Sequence, residues 1–215
     1  MVHVKICGVT TTDDARACVV LGASSIGVNL IPSSKRCVDT ATALAIARAV
    51  HETPSHAPAG TKVIVVGVVA DLTTEAMRAL VRDAELDCLQ LHGDESNETL
   101  SALLPHAYKA ARIANAADVE HARTFAGDYL LVDAKVEGTL GGTGTSFDWS
   151  LVGTLAHERR LTLAGGLDPE NVERAVREIA PYCVDVASGV ESAPGRKDLA
   201  KVRAFIEAAR RGSRA

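Results

Sequence analysis

LTLAGGLDPENVERAVREI, residues 161–179, contains the unit from which the whole chain is built. A short apolar run at 161–165 meets Gly165-Gly166 and then passes through Asp168-Pro169-Glu170 into an amphipathic stretch. A continuous apolar run bounded by turn residues is the mark of a parallel strand covered on both faces. Proline is favoured in the first turn of a helix, so Pro169 is expected at the first helical position. The stretch reads as one strand, one tight turn and one helix.

The unit recurs outward in both directions. CVDVAS (183–188) follows it. YLLVDA (129–134), YKAARI (108–113), DCLQLH (87–92), KVIVVGVV (62–69), SIGVNL (25–30) and VHVKIC (2–7) precede it. Helix starts fall at Thr12, at Thr40, at Thr73-Thr74-Glu75, within 95–98 and within 115–118, with Asp148 as the sixth cap and a last helix over 199–210. Eight βα units in one register predict an α/β fold, a (β/α)8 TIM barrel, as a single domain over 1–211 with a flexible tail at 212–215. An open doubly wound sheet is the alternative, because closure leaves no mark in sequence. The stretch 51–60 (HETPSHAPAG) follows the second helix, so its histidines are expected to be solvated loop residues on the face away from the βα loops.

At 215 residues, one domain can bury a full core without staples. A net charge of −4 gives no electrostatic footprint for nucleic acid or an anionic membrane, while a local cationic pocket for a small acidic ligand stays compatible with it. The five cysteines are odd in number and scattered, with no C-x-x-C and no Cys/His pair at zinc spacing. That predicts free thiols in a reducing compartment and no metal site. The longest apolar run, 63–70, falls far short of the roughly 20 residues of a membrane helix, and the N-terminus lacks a signal-type pattern. A cytoplasmic protein is expected.

Polar groups inside apolar strand runs are costly unless they have partners or a task. Here they collect at the C-terminal strand ends: Cys7, Arg36 in the loop after the second strand, Gln90 and His92, Arg112, and Asp133. In a barrel these ends converge on one mouth. Glycines permit close backbone approach, and their N–H groups can cradle an anion. Gly142, Thr143 and Gly144 in the sixth loop, Gly165 and Gly166 in the seventh, and Ser188 and Gly189 in the eighth form the expected phosphate end. Alternation places Lys5 on the inward face with Cys7, about 6.6 Å deeper. A cation there favours thiolate, with depth and an acidic partner opposing it. Strands one and eight are neighbours in a closed barrel, so Lys5 and Asp185 are expected to form a buried structural ion pair. Cys18, Cys88 and Cys183 read as packing, and Arg112 as a peripheral charge.

KICGVT (5–10), PSSKRCV (32–38), VGVVAD (66–71), LQLHGDE (89–95), LLVDAK (130–135), GGTGTSFDW (141–149), LAGGLDPENV (163–172) and VDVASGVESAPGRKD (184–198) follow one another in order. Over essentially its whole length the chain resembles the phosphoribosylanthranilate isomerase family. The resemblance implies an Amadori rearrangement of N-(5-phosphoribosyl)anthranilate in tryptophan biosynthesis, without cofactor or metal. It implies Cys7 as general base, Asp133 as general acid and Arg36 as holder of the anthranilate carboxylate. Gln90 and His92 would lie near the substrate, and the glycine loops with Ser188 would hold the phosphate. The expected partner is a small phosphorylated molecule, with monomer and homodimer both open. The chain departs from the family pattern at Thr145, at Ala70-Asp71 and in GVNLIP (27–32), which lacks an aromatic residue. Two other readings compete: a histidine-pathway sugar-phosphate isomerase, which would end its first strand in aspartate, and a catalytically idle phosphate-binding barrel, which would lose Cys7, Asp133 or Arg36.

Overall fold

The computed structural model describes residues 1–55, 62–133 and 150–213, the side chains of Ser150 and Leu151 excepted. Eight parallel strands close on themselves in chain order: β1 (His3–Cys7), β2 (Ser25–Asn29), β3 (Ile64–Val69), β4 (Cys88–Leu91), β5 (Ala107–Arg112), β6 (Tyr129–Asp133), β7 (Arg160–Ala164) and β8 (Cys183–Val186). Register across the seam pairs Lys5 with Asp185. The barrel is closed, which removes the open-sheet alternative.

The helices are α1 (Thr12–Leu21), α2 (Thr40–Glu52), α3 (Thr74–Asp83), α4 (Asn97–Ser101), α5 (Ala116–Arg123), α6 (Ser150–Glu158), α7 (Val172–Ile179) and α8 (Leu199–Gly212). Short polar side chains set where several of them begin. Thr11, Asp39, Thr73, Ser96 and Asp198 each accept a hydrogen bond from the first-turn backbone, and Asn115 with Asp118 forms a capping box. Two apolar layers follow from the alternation of the strands. Ile6, Ile26, Leu89, Leu130, Leu163 and Val184 pack outward against the helices, while Val66, Tyr108, Ala110, Leu131 and Ala164 fill the barrel interior.

Three expectations need correcting. Pro169 lies in a turn before α7, which starts only at Val172, because Asp168 Oδ1 accepts the N–H groups of Glu170 and Asn171 and folds that segment into its own loop. His51 belongs to the last turn of α2, and its Nε2 lies 2.8 Å from Asp87 Oδ2, so it is a paired helix residue. Helix α8 continues to the buried Gly212, and Val2 N–H donates to Ser213 Oγ at 3.0 Å, so 212–213 are tied down where a flexible tail was expected. His56, the Asp148 cap, Thr145 and the loop residues Gly142, Thr143 and Gly144 lie outside the described residues. Among the described residues no helix is long and apolar enough to cross a membrane.

Candidate active site

A cavity of about 290 Å³ opens at the C-terminal mouth of the barrel. Cys7, Arg36, Gln90, His92, Asp133, Gly165, Gly166 and Ser188 all line it, with Asn29 and Asp185. Residues spread from position 7 to position 188 thus share one space. Gly189 stands behind the lining: a Cβ there would collide with the carbonyl oxygen of Leu167, so glycine lets the seventh and eighth loops meet. Arg112 is exposed and lies outside this cavity, in a neighbouring recess between the fourth and fifth units.

The floor of the cavity is a hydrogen-bonded network. Lys5 is buried and donates through Nζ to Gln90 Oε1 at 2.8 Å and to Asp185 Oδ2 at 3.1 Å, the ion pair expected across the seam. Tyr108 OH also donates to Gln90 Oε1, at 3.1 Å. With its oxygen taken, the Gln90 amide nitrogen donates to His92 Nδ1 at 2.8 Å. That assigns the imidazole proton to Nε2. Burial lowers the His92 pKa despite the nearby Asp133 charge, which fits the neutral ring. Asp185 Oδ1 is buried and accepts no hydrogen bond from the described residues.

Cys7 ends β1 half-buried at the mouth. A Cβ at Gly27 would stand 2.8 Å from its Sγ, so the glycine on the neighbouring strand makes room for the thiol. Burial pushes the thiol pKa up, opposed by the charges of Lys5 and Lys197. The lysine therefore moderates the thiol without overcoming desolvation. Asp133 ends β6, beside Arg112 on β5 and Ala164 on β7.

Loop structure sets the rest of the rim. The backbone of Asn29 bridges to Cys37 and takes the Val38 N–H at 2.9 Å, folding the second loop back so that Arg36 comes over the mouth. Gly165 and Gly166 both have positive φ, the left-handed region that glycine enters without penalty. Asn171 Nδ2 donates to Gly166 O at 2.9 Å and pins that turn to the start of α7. The departure at Asp71 has a structural account: its Oδ1 accepts the Asp94 N–H at 2.7 Å, tying the third loop to the fourth.

Sequence reading missed Glu191, Lys197 and the Lys109–Glu95 pair. Glu191 accepts from Arg36 Nε at 2.8 Å and Nη2 at 2.6 Å, and from Lys197 Nζ at 2.8 Å. Lys109 Nζ lies 2.7 Å from Glu95 Oε2, buried behind the fourth loop. Each is a charge inside a short quoted motif; the Arg36–Glu191 contact spans 155 residues, while Lys109–Glu95 joins neighbouring units and Lys197–Glu191 closes one hairpin.

A closed parallel barrel whose C-terminal mouth gathers a thiol, a carboxyl, an imidazole and a guanidinium beside a glycine-lined rim belongs to the class of TIM-barrel enzymes. Comparison with known proteins narrows the class. The family description N-(5'-phosphoribosyl)anthranilate (PRA) isomerase matches residues 4–208. An N-(5'-phosphoribosyl)anthranilate isomerase of Myxococcus xanthus is 45% identical, covering 97% of this chain and 96% of the relative, and one of Magnetococcus marinus is 42% identical over 98% and 96%. The crystal structure of phosphoribosyl anthranilate isomerase from Thermotoga maritima superposes with a TM-score of 0.85 at 36% identity, covering 98% of this chain and 99% of that one. A phosphoribosyl anthranilate isomerase solved in complex with reduced 1-(o-carboxyphenylamino)-1-deoxyribulose 5-phosphate gives 0.82 at 34% identity, again over 98% and 99%. The chain belongs to the phosphoribosylanthranilate isomerase family.

Proposed function

We propose that this chain converts N-(5-phosphoribosyl)anthranilate to 1-(2-carboxyphenylamino)-1-deoxyribulose 5-phosphate in tryptophan biosynthesis, with Cys7 as base and Asp133 as acid. The single observation that carries the reading is that Cys7 and Asp133 line one cavity together with Arg36 and the glycines of the seventh loop. Asp133 delivers a proton to the ribose ring oxygen, the C1–O bond breaks, and the anilinic nitrogen lone pair forms the C1 iminium. That cation acidifies the C2 hydrogen, which the Cys7 thiolate removes to give the enolamine. Tautomerisation returns a proton to C1 and leaves the C2 ketone. Each proton-transfer group is expected to contribute roughly 10²–10⁴-fold.

Substrate is oriented by its two anionic ends. Gly165, Gly166 and Ser188 meet the phosphate, with Gly189 setting the loop contact behind them, and Gly142, Thr143 and Gly144 are proposed to close the same end. Arg36 takes the anthranilate carboxylate with a planar fork that lysine would reproduce poorly. Neutral His92, oriented by Gln90, offers Nε2–H to the sugar. A histidine-pathway isomerase would need an aspartate at position 7, where this chain has the thiol.

The five free thiols support a reducing, cytoplasmic setting. Monomer and homodimer are separated by size-exclusion chromatography with light scattering. The test of function is direct: purified protein is given freshly formed phosphoribosylanthranilate and loss of its fluorescence is followed. Turnover is expected, and its absence removes the assignment.

A further inference from the structure

We propose that Glu191 is a positioning residue for recognition of the substrate's carboxylate, fixing one edge of the Arg36 guanidinium so that the other edge is presented to the ligand. The proposal rests on the reading that Arg36 receives that carboxylate. A guanidinium has a side edge, formed by Nε–H and one Nη2–H, and an end edge, formed by Nη1–H and the second Nη2–H. Glu191 occupies the side edge in a bidentate pair, at 2.8 and 2.6 Å. The end edge keeps two parallel donors, the geometry a second carboxylate needs.

The clamp is itself rigid. The Glu191 side chain is 4% exposed and sits at the start of a hairpin made by β9 (Glu191–Ala193) and β10 (Arg196–Lys197). Lys197, fully buried, donates to Glu191 Oε1 at 2.8 Å and to the Cys7 carbonyl at 2.6 Å, so one chain of contacts links the guanidinium to the strand end bearing the base. From the other side, the Arg36 stem lies against Gly8, where a Cβ would collide with Cδ. An unclamped arginine must give up much of its rotamer freedom when ligand binds, whereas Arg36 has already done so on folding. Burial raises the Glu191 pKa, but its hydrogen bonds with Arg36 and Lys197 bring it below the ordinary carboxylate value.

The test compares phosphoribosylanthranilate with the glycosylamine formed from aniline and ribose 5-phosphate, which lacks the carboxylate. Glu191→Gln is expected to raise KM for the anthranilate compound about tenfold. The ratio of kcat/KM between the two substrates should fall by a similar factor. Arg36→Met should lower that ratio further, and Glu191→Gln added to Arg36→Met should change nothing more. If Glu191→Gln fails to fold, Glu191→Asp carries the same prediction, since it keeps the charge and loses the reach. Equal losses on both substrates, or a loss that persists in the Arg36→Met background, would overturn the role of Glu191 while leaving that of Arg36 standing. An Arg36→Met enzyme that keeps the wild-type preference for the carboxylate-bearing substrate would remove the underlying reading as well.

Discussion

The two mouths of the barrel are built from the same eight strands and handle polarity in opposite ways. At the N-terminal mouth a recess of about 230 Å³ is rimmed by His3, Tyr129 and Tyr182, and Arg160 stacks over both tyrosines. Beside it Asp87 is saturated by His51 at 2.8 Å, Lys62 at 2.7 Å and the Val65 N–H at 2.8 Å. At the C-terminal mouth capacity is left over: an Asp185 oxygen with no hydrogen bond from the described residues, a thiol lifted by burial, one edge of Arg36. Closed networks stabilise, and open ones can bind and react. The difference predicts that function and stability can be damaged separately.

The largest effect is expected from Asp133→Asn, which should lower kcat by roughly 10³-fold or more, and Cys7→Ala by roughly 10²–10⁴-fold, with thermal unfolding midpoints close to wild type. Steady-state kinetics and calorimetry check both, and near-normal turnover in either variant would break the comparison at its functional end. A smaller effect follows from the raised Cys7 pKa. Thiolate is the scarce form below that pKa, so alkylation of Cys7 by iodoacetamide, followed on the peptide that carries it, should quicken with pH, by at most tenfold per unit, between about pH 6 and 9. A pH-independent alkylation rate at Cys7 would contradict a raised thiol pKa.

At the other mouth, Asp87→Ala is expected to cost about 1–3 kcal/mol, or several degrees of unfolding temperature, while kcat/KM changes less than twofold. Burial raises the Asp87 pKa, but Lys62, the Val65 N–H and His51 bring it below the usual value. A depressed carboxylate stabilises above its unfolded pKa of about 3.9, and that contribution is lost as pH falls through the folded value. The stability gap between wild type and Asp87→Asn should therefore narrow in acid, and urea titrations at pH 7 and pH 3 would show it. The smallest effect belongs to Thr73→Ala, which removes the cap of α3 and should cost about 1 kcal/mol, with no change in activity.

Much of this was legible before any coordinates. Alternating apolar runs and capping residues placed the strands to within one or two residues because those signals are local. The Lys5–Asp185 pair was legible for a different reason: closure makes the first and last strands neighbours, and both charges fall inside apolar runs. The Glu191 clamp was not, since Arg36 lies 155 residues away from Glu191. The course of the eighth loop carries no periodic pattern from which that meeting could be deduced. Pro169 misled because a local preference for the first helical turn was overridden by Asp168, whose carboxylate made a separate turn of the next residues. His51 misled because the second helix runs two residues further, to Glu52, than its composition suggested.

The seam has a consequence for how the protein is made. Cys7 leaves the ribosome long before its fastenings do: the carboxylate paired with its neighbouring lysine is at position 185 and the ammonium that holds its carbonyl at position 197. Until those residues emerge, a growing or C-terminally clipped chain holds its thiol on a strand with one side unpaired. Turnover is therefore expected only once β8 and the loop after it have emerged, and fragments ending before β8 should be inert toward substrate.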